Sequence, residues 1–119
     1  MHVAEIYYNS PGSDTRSNSS LNAEWVKITN STSWSANLSG WTLTDASSHK
    51  YTFGRFTLGA GKSVYVHTGH GTNTSLNVYQ DRSAYVWNND KDTATLRKST
   101  GTWVDSCSYN NSSRSYVYC

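Results

Sequence analysis

Apolar and polar residues alternate along most of this chain. The period is two, the mark of strands that lay one face on a core. Residues 2–8 form a first strand, with Val3 and Ile6 as its core candidates. Residues 24–30 repeat the pattern: Val26 and Ile28 share a face, Trp25 and Lys27 the other. Residues 38–45 set Trp41 and Leu43 against Thr42 and Thr44. Shorter stretches follow at 50–53 and 56–58, and Val64 and Val66 alternate with Ser63, Tyr65 and His67 over 62–68. Residues 76–79 read as an edge segment. Residues 84–87 carry Trp87 into the dense turn signal Asn88-Asn89-Asp90-Lys91-Asp92. Residues 93–98 and 102–109 form a hairpin around Ser99-Thr100-Gly101, and 116–119 adds a last short strand. Gly40 and Gly59-Ala60-Gly61 mark tight turns. Residues 9–22 are a long polar loop, and no stretch carries a helical period. The pattern predicts an all-β sandwich or barrel of about eight or nine short, mainly antiparallel strands with no substantial helix.

Composition supports this and narrows the setting. The 119 residues suit one domain over residues 1–119 with one core. Apolar residues are only 35 %, so five Trp and nine Tyr must supply much of the buried area. The net charge is +2 and the basic residues are scattered, which gives nucleic acid little electrostatic support beyond Arg97-Lys98. No apolar run reaches the roughly 20 residues of a membrane span. No signal-peptide pattern precedes the first strand, which reads as a mature or trimmed domain. Cys107 and Cys119 allow one pairing, closing a short C-terminal loop. A disulfide is favoured over two free thiols, because it would pin a terminal residue that otherwise frays. That in turn points to an extracellular, secreted protein. Six Asn-x-Ser/Thr sequons, at Asn18, Asn30, Asn37, Asn73, Asn110 and Asn111, fit a Ser/Thr/Asn-rich surface.

The ordered pieces carry a resemblance. They are Ala4-Glu5-Ile6-Tyr7-Tyr8-Asn9, then Glu24-Trp25-Val26-Lys27-Ile28-Thr29-Asn30, then Leu38-Ser39-Gly40-Trp41-Thr42-Leu43-Thr44-Asp45. Leu58-Gly59-Ala60-Gly61-Lys62-Ser63-Val64, Trp87-Asn88-Asn89, Asp92-Thr93-Ala94-Thr95-Leu96 and Val104-Asp105-Ser106 follow. Their order over nearly the whole chain resembles the lamin tail domain, and in particular its secreted bacterial versions. The Leu-Ser-Gly-Trp piece is the most specific of them. The resemblance implies an immunoglobulin-like sandwich, a module often attached to secreted enzymes, nucleases among them, or to surface proteins. It does not imply activity. The chain has no coiled-coil heptads, which sets it apart from nuclear filament lamins.

Candidate chemistry is thin. No Gly-x-Ser-x-Gly elbow and no His-Glu-x-x-His is present, and Glu5 and Glu24 are the two glutamates, both on predicted strands. The reading is no enzyme. His67 and His70 lack a local third zinc ligand. Asp14, Asn18, Asn22 and Glu24 place hard oxygens around the long loop and are candidates for a structural calcium. The competing reading, that they cap turns and bond the backbone, is the favoured one. No other cofactor is implied. Glu24 shares the inward face with Val26 and Ile28, so its carboxylate must find a partner.

Binding is the remaining class. Trp25, Trp34, Tyr65, Tyr85 and Trp103 fall on outward faces or turns, where rings stack on sugars or anchor a protein. They could equally cover a thin core or fill cross-strand pairs. Trp41 and Trp87 are assigned to the core. The leading expectation is a secreted, non-catalytic binding or structural module, an accessory or display domain, monomeric in isolation, with an unidentified protein or glycan partner. The alternatives are a carbohydrate-binding module using Trp and Tyr and, more weakly, a nucleic-acid accessory domain of an extracellular nuclease.

Overall fold

The computed structural model describes residues 1–9 and 17–119 of the chain. In order they form β1 (His2–Tyr7), α1 (Asn18–Asn22), β2 (Trp25–Thr29), β3 (Ala36–Asn37), β4 (Thr42–Thr44) and β5 (Lys50–Thr52). There follow β6 (Thr57–Leu58), β7 (Ser63–His67), β8 (Asn77–Tyr79), β9 (Lys91–Arg97), β10 (Trp103–Asn110) and β11 (Tyr116–Tyr118). One sheet has five strands in the order β11-β1-β2-β7-β8, and the other four in the order β10-β9-β4-β5. β3 and β6 pair as a separate two-stranded ribbon. All pairs are antiparallel except β7 with β8. The architecture is an immunoglobulin-like β-sandwich.

Alternation in the sequence becomes alternation in space. Val26 and Ile28 of β2, Val64 and Val66 of β7 and Val3 and Ile6 of β1 are buried, as are Ala94 and Leu96 of β9. They meet Leu43, Leu58, Phe53 and Val78 in one core cluster. Each aliphatic side chain buried this way contributes about 1.5–3 kcal/mol. Trp87 joins this cluster as expected, although residues 84–87 form no strand. Trp41 is only half-buried and packs on the cluster's margin, because it sits in the turn ahead of β4. Its predecessor Gly40 has φ +81°, and a Cβ there would lie 2.9 Å from Ser99 Cβ, so the turn admits glycine alone.

Part of the loop expected at residues 9–22 is instead one helical turn, α1. Ser17 caps it, its hydroxyl accepting from Ser20 N–H at 3.2 Å. Leu21 is the residue it buries. Ser, Asn and a single Leu offer no helical period, so the turn comes from capping and tertiary contact.

Two devices tie the sheets together. Glu24 is fully buried, and its Oε1 accepts from Thr68 Oγ1 at 2.6 Å and from Val86 and Trp87 N–H at 2.9 and 3.2 Å. It locks the ends of β2 and β7 to the crossing segment at Val86 and Trp87. At the opposite sheet edge Cys107 of β10 is bonded to Cys119, with Cα atoms 5.9 Å apart, and Cys119 N–H donates to Ala4 O. The expected disulfide thus joins one sheet to the outermost strand of the other. Beside it Tyr8 and Tyr109 stack with centroids 3.8 Å apart, their hydroxyls donating to Asn111 O and Asn88 O. Burial raises both phenols above their usual value of 10.0, and for Tyr109 the carboxylates of Asp92 and Glu24 add to the rise.

Cys119→Ser is expected to cost about 3 kcal/mol in chemical denaturation, and an unchanged midpoint would show the bond to be dispensable. The tyrosine pair sets an alkaline limit. A phenol whose folded pKa is raised contributes stability in full below its unfolded value, and loses it as pH climbs past that value toward the folded one. Denaturation midpoints are therefore expected to hold to about pH 10 and fall above it. Absorbance titration should show these phenolates forming only as the domain unfolds.

Candidate functional site

The outer face of the five-stranded sheet carries a row of rings. Register places Tyr116 opposite Tyr7, Tyr7 opposite Trp25, Trp25 opposite His67 and His67 opposite Tyr79. One line of aromatic side chains therefore crosses all five strands. The next line two residues along each strand is Tyr118, Glu5, Lys27, Tyr65 and Asn77. Both follow from the period of two: the positions between them are the buried valines and isoleucines.

The rings touch in sequence. Tyr7 lies 5.9 Å from Tyr116 and 5.6 Å from Trp25, at interplanar angles of 17° and 34°. Tyr65 lies 6.4 Å from His67, and His67 lies 5.0 Å from Tyr79, at 31° and 18°. Trp25 and Tyr65 join these two sets edge-on at 5.0 Å and 86°. Tyr118 meets Tyr116 at 5.3 Å and is 71 % exposed, so the row opens at the β11 edge. His67 is held by both ring nitrogens, Nδ1 at 2.7 Å from Asn22 O and Nε2 at 2.8 Å from Asn77 Oδ1. Since a carbonyl only accepts, Nδ1 carries a proton. The Lys27 ammonium sits 5.8 Å from the centroid of Tyr65, and Glu5 is opposite Lys27 in register. One cation and one anion leave the face close to neutral.

Of the five aromatics named from sequence, Trp25 and Tyr65 belong to this row and the other three do not. Trp34 stands in the turn after β2, 77 % exposed, and Trp103 opens β10, 57 % exposed. Tyr85 is half-buried, its hydroxyl 2.6 Å from Ser20 Oγ. Sequence reasoning missed Tyr7, His67, Tyr79, Tyr116 and Tyr118 as members. Their parity along each strand was readable, but the strand order that makes them neighbours was not.

The oxygen set named for calcium divides. Asn18 and Asn22 come together on α1, both donating through Nδ2 to His70 O, at 3.1 and 2.9 Å. Their Oδ1 atoms converge on Gly69, where a Cβ would lie 2.6 Å from each. Glu24 serves Thr68 and the segment at Val86 and Trp87, and Asp14 lies outside the described residues. Among the described residues no three His, Cys, Asp or Glu side chains gather as a metal set.

Elsewhere polar chemistry goes into turns. Asp45 Oδ1 accepts from Ser47 and His49 N–H, and Oδ2 lies 2.6 Å from His49 Nδ1. Asp92 accepts from Ala46, Asn88 and Thr93 N–H. A cleft of about 470 Å³ between the edges at β5 and β8 is lined by Tyr51, Phe53, Phe56 and Val78, with Arg55 as its one charged side chain among the described residues. It offers no acid–base pair. No described helix is long and apolar enough to cross a membrane.

The family profile of the Lamin Tail Domain matches residues 1–111. The chain belongs to the lamin tail domain family. A search of curated proteins finds no match to it. Lamin tail domains are immunoglobulin-like and generally non-catalytic, in keeping with turns that consume the carboxylates. The matched span of this lamin tail domain holds β1 through β10, and β11 with Tyr116, Tyr118 and Cys119 lies beyond it.

Trp25→Ala removes the two central ring contacts of the row. It is expected to cost about 1–3 kcal/mol in urea denaturation while unfolding stays cooperative. A larger loss with a broadened transition would place Trp25 in the core instead of on the face.

Proposed function

We propose that this lamin tail domain is a non-catalytic extracellular binding module, and that the outer face of its five-stranded sheet engages a neutral glycan. The observation that carries this reading is the unbroken ring row from Tyr118 to Tyr79 across five strands. Aromatic faces stack on the C–H faces of sugar rings, and amide and imidazole groups beside them bond hydroxyls. Asn77 supplies such an amide beside the row, its orientation fixed by His67 Nε2 on its Oδ1. Near-neutrality argues against a nucleic-acid ligand, which needs several cations along its backbone. Cross-strand pairing would stabilise the sheet with two or three rings; a line over its full width, open at Tyr118, exceeds that need. The disulfide suits an oxidising, extracellular setting.

Depletion assays on insoluble cellulose, chitin and β-1,3-glucan, all uncharged, test the proposal. The domain is expected to deplete with at least one of them, salt should have little effect, and Trp25→Ala should weaken binding about tenfold or more. Binding to none, or full binding by Trp25→Ala, would overturn it.

A further inference from the structure

The two most exposed tryptophans lie at one end of the sandwich, away from the ring row. β1 and β10 run side by side in the same direction: Val3 N–H donates to Asp105 Oδ2 at 2.9 Å, and Tyr8 stacks on Tyr109. Trp103, the first residue of β10, therefore lies at the end where β1 begins. His2 pairs with Thr29, the last residue of β2, and the chain then turns through residues 30–35 to Trp34. Trp34 and Trp103 thus flank the start of β1.

Trp34 is presented by a built loop. Asn30, fully buried, donates through Nδ2 to Trp34 O at 2.7 Å and to Leu58 O at 3.0 Å. Its Oδ1 accepts from Thr32 N–H at 3.1 Å and Thr32 Oγ1 at 2.6 Å, and Thr32 Oγ1 accepts from Trp34 N–H at 3.3 Å. The loop backbone is bonded on both sides of a ring that is itself in solvent. Neither Trp34 nor Trp103 packs on another ring among the described residues. They stand as separate apolar points and not as a stacking platform.

Charge at this end is mainly basic. Lys62 opens the segment into β7, Arg97 closes β9 opposite Trp103, and Lys98 follows in the hairpin; all three are exposed and in no ion pair among the described residues. Asp105, also here, is the one described acid at this end; it is half-buried, with Val3 N–H on its Oδ2, so the cations outnumber it three to one. Asp45, Asp81 and Asp90 lie between elements at the other end, and Asp92 lies there at the start of β9. Exposed tryptophans held apart, with three cations against one half-buried carboxylate among the described residues, match a bilayer interface. Indole partitions to headgroup depth, and lysine and arginine are drawn to anionic lipid.

We infer that this end docks on an anionic phospholipid surface, Trp34 and Trp103 entering the headgroup layer while Lys62, Arg97 and Lys98 face lipid phosphates and carboxylates. The inference stands on different residues from the glycan reading, so either can fail alone. Co-sedimentation with phosphatidylcholine vesicles, with and without phosphatidylserine, tests it. The domain is expected to sediment with the phosphatidylserine vesicles alone. Trp34→Ser with Trp103→Ser should weaken this about tenfold or more, and each of Lys62→Gln, Arg97→Gln and Lys98→Gln about fivefold. Lys91→Gln, at the other end, should change nothing. Melting curves of each variant check that these surface changes leave the fold intact. No sedimentation at physiological ionic strength, full binding by the double variant, or tighter binding to duplex DNA than to vesicles would each overturn the inference.

Discussion

Everything on the outer face of the five-stranded sheet depends on the register of β2 between β1 and β7. Val26 faces Ile6 on one side and Val66 on the other, so Trp25 must face Tyr7 and His67. A slip of one residue would carry Val26 and Ile28 into solvent and the rings into the core. The burial of a few aliphatic side chains therefore sets the ring row without any contact among the rings being needed to choose it. Ring contacts then add about 0.5–1.5 kcal/mol per pair to a register already decided.

Glu24 holds that register at one end. A carboxylate with no exposure is costly unless hydrogen-bonded, and here one oxygen accepts from Thr68, Val86 and Trp87. Those donors come from the end of β7 and from a segment crossing between sheets, so the polar group does work that apolar packing cannot. It selects one path for the crossing chain. Asn30 plays the same part at the other end, bonding the carbonyls of Trp34 and Leu58 from full burial. Its sequon is accordingly closed to glycosylation, while those at Asn18, Asn37, Asn73 and Asn110 are exposed.

The outermost strand shows how local addition changes a surface. β11 brings Tyr116 and Tyr118 to the β1 edge and is held there by three register pairs, by Cys119 N–H on Ala4 O and by the disulfide to β10. It lengthens the ring row past the part matched by the family and covers the β1 edge, becoming the outermost strand of the sheet itself. The row and the basic end with Trp34 remain separate surfaces, because one is made by strand register and the other by loops.

Most of the strands were legible in the alternation of apolar and polar residues, since burial of one face imposes a period of two wherever a sheet covers a core. Gly40 and Gly61 were legible as turns for the same local reason, a backbone with φ +81° and +70°. The disulfide followed from two cysteines having one partner each, and the inward carboxylate of Glu24 from its parity with Val26. The sequence could not show that Tyr116, Tyr7, Trp25, His67 and Tyr79 form one line, because strand order joins residues as far apart as 7 and 116. Nor could it show α1, which has a cap and a single buried leucine but no helical period. Local periodicity determined which way each side chain faces. Tertiary pairing alone decided which of those side chains became neighbours, because neighbourhood in a sheet is a property of register between strands and not of any strand by itself.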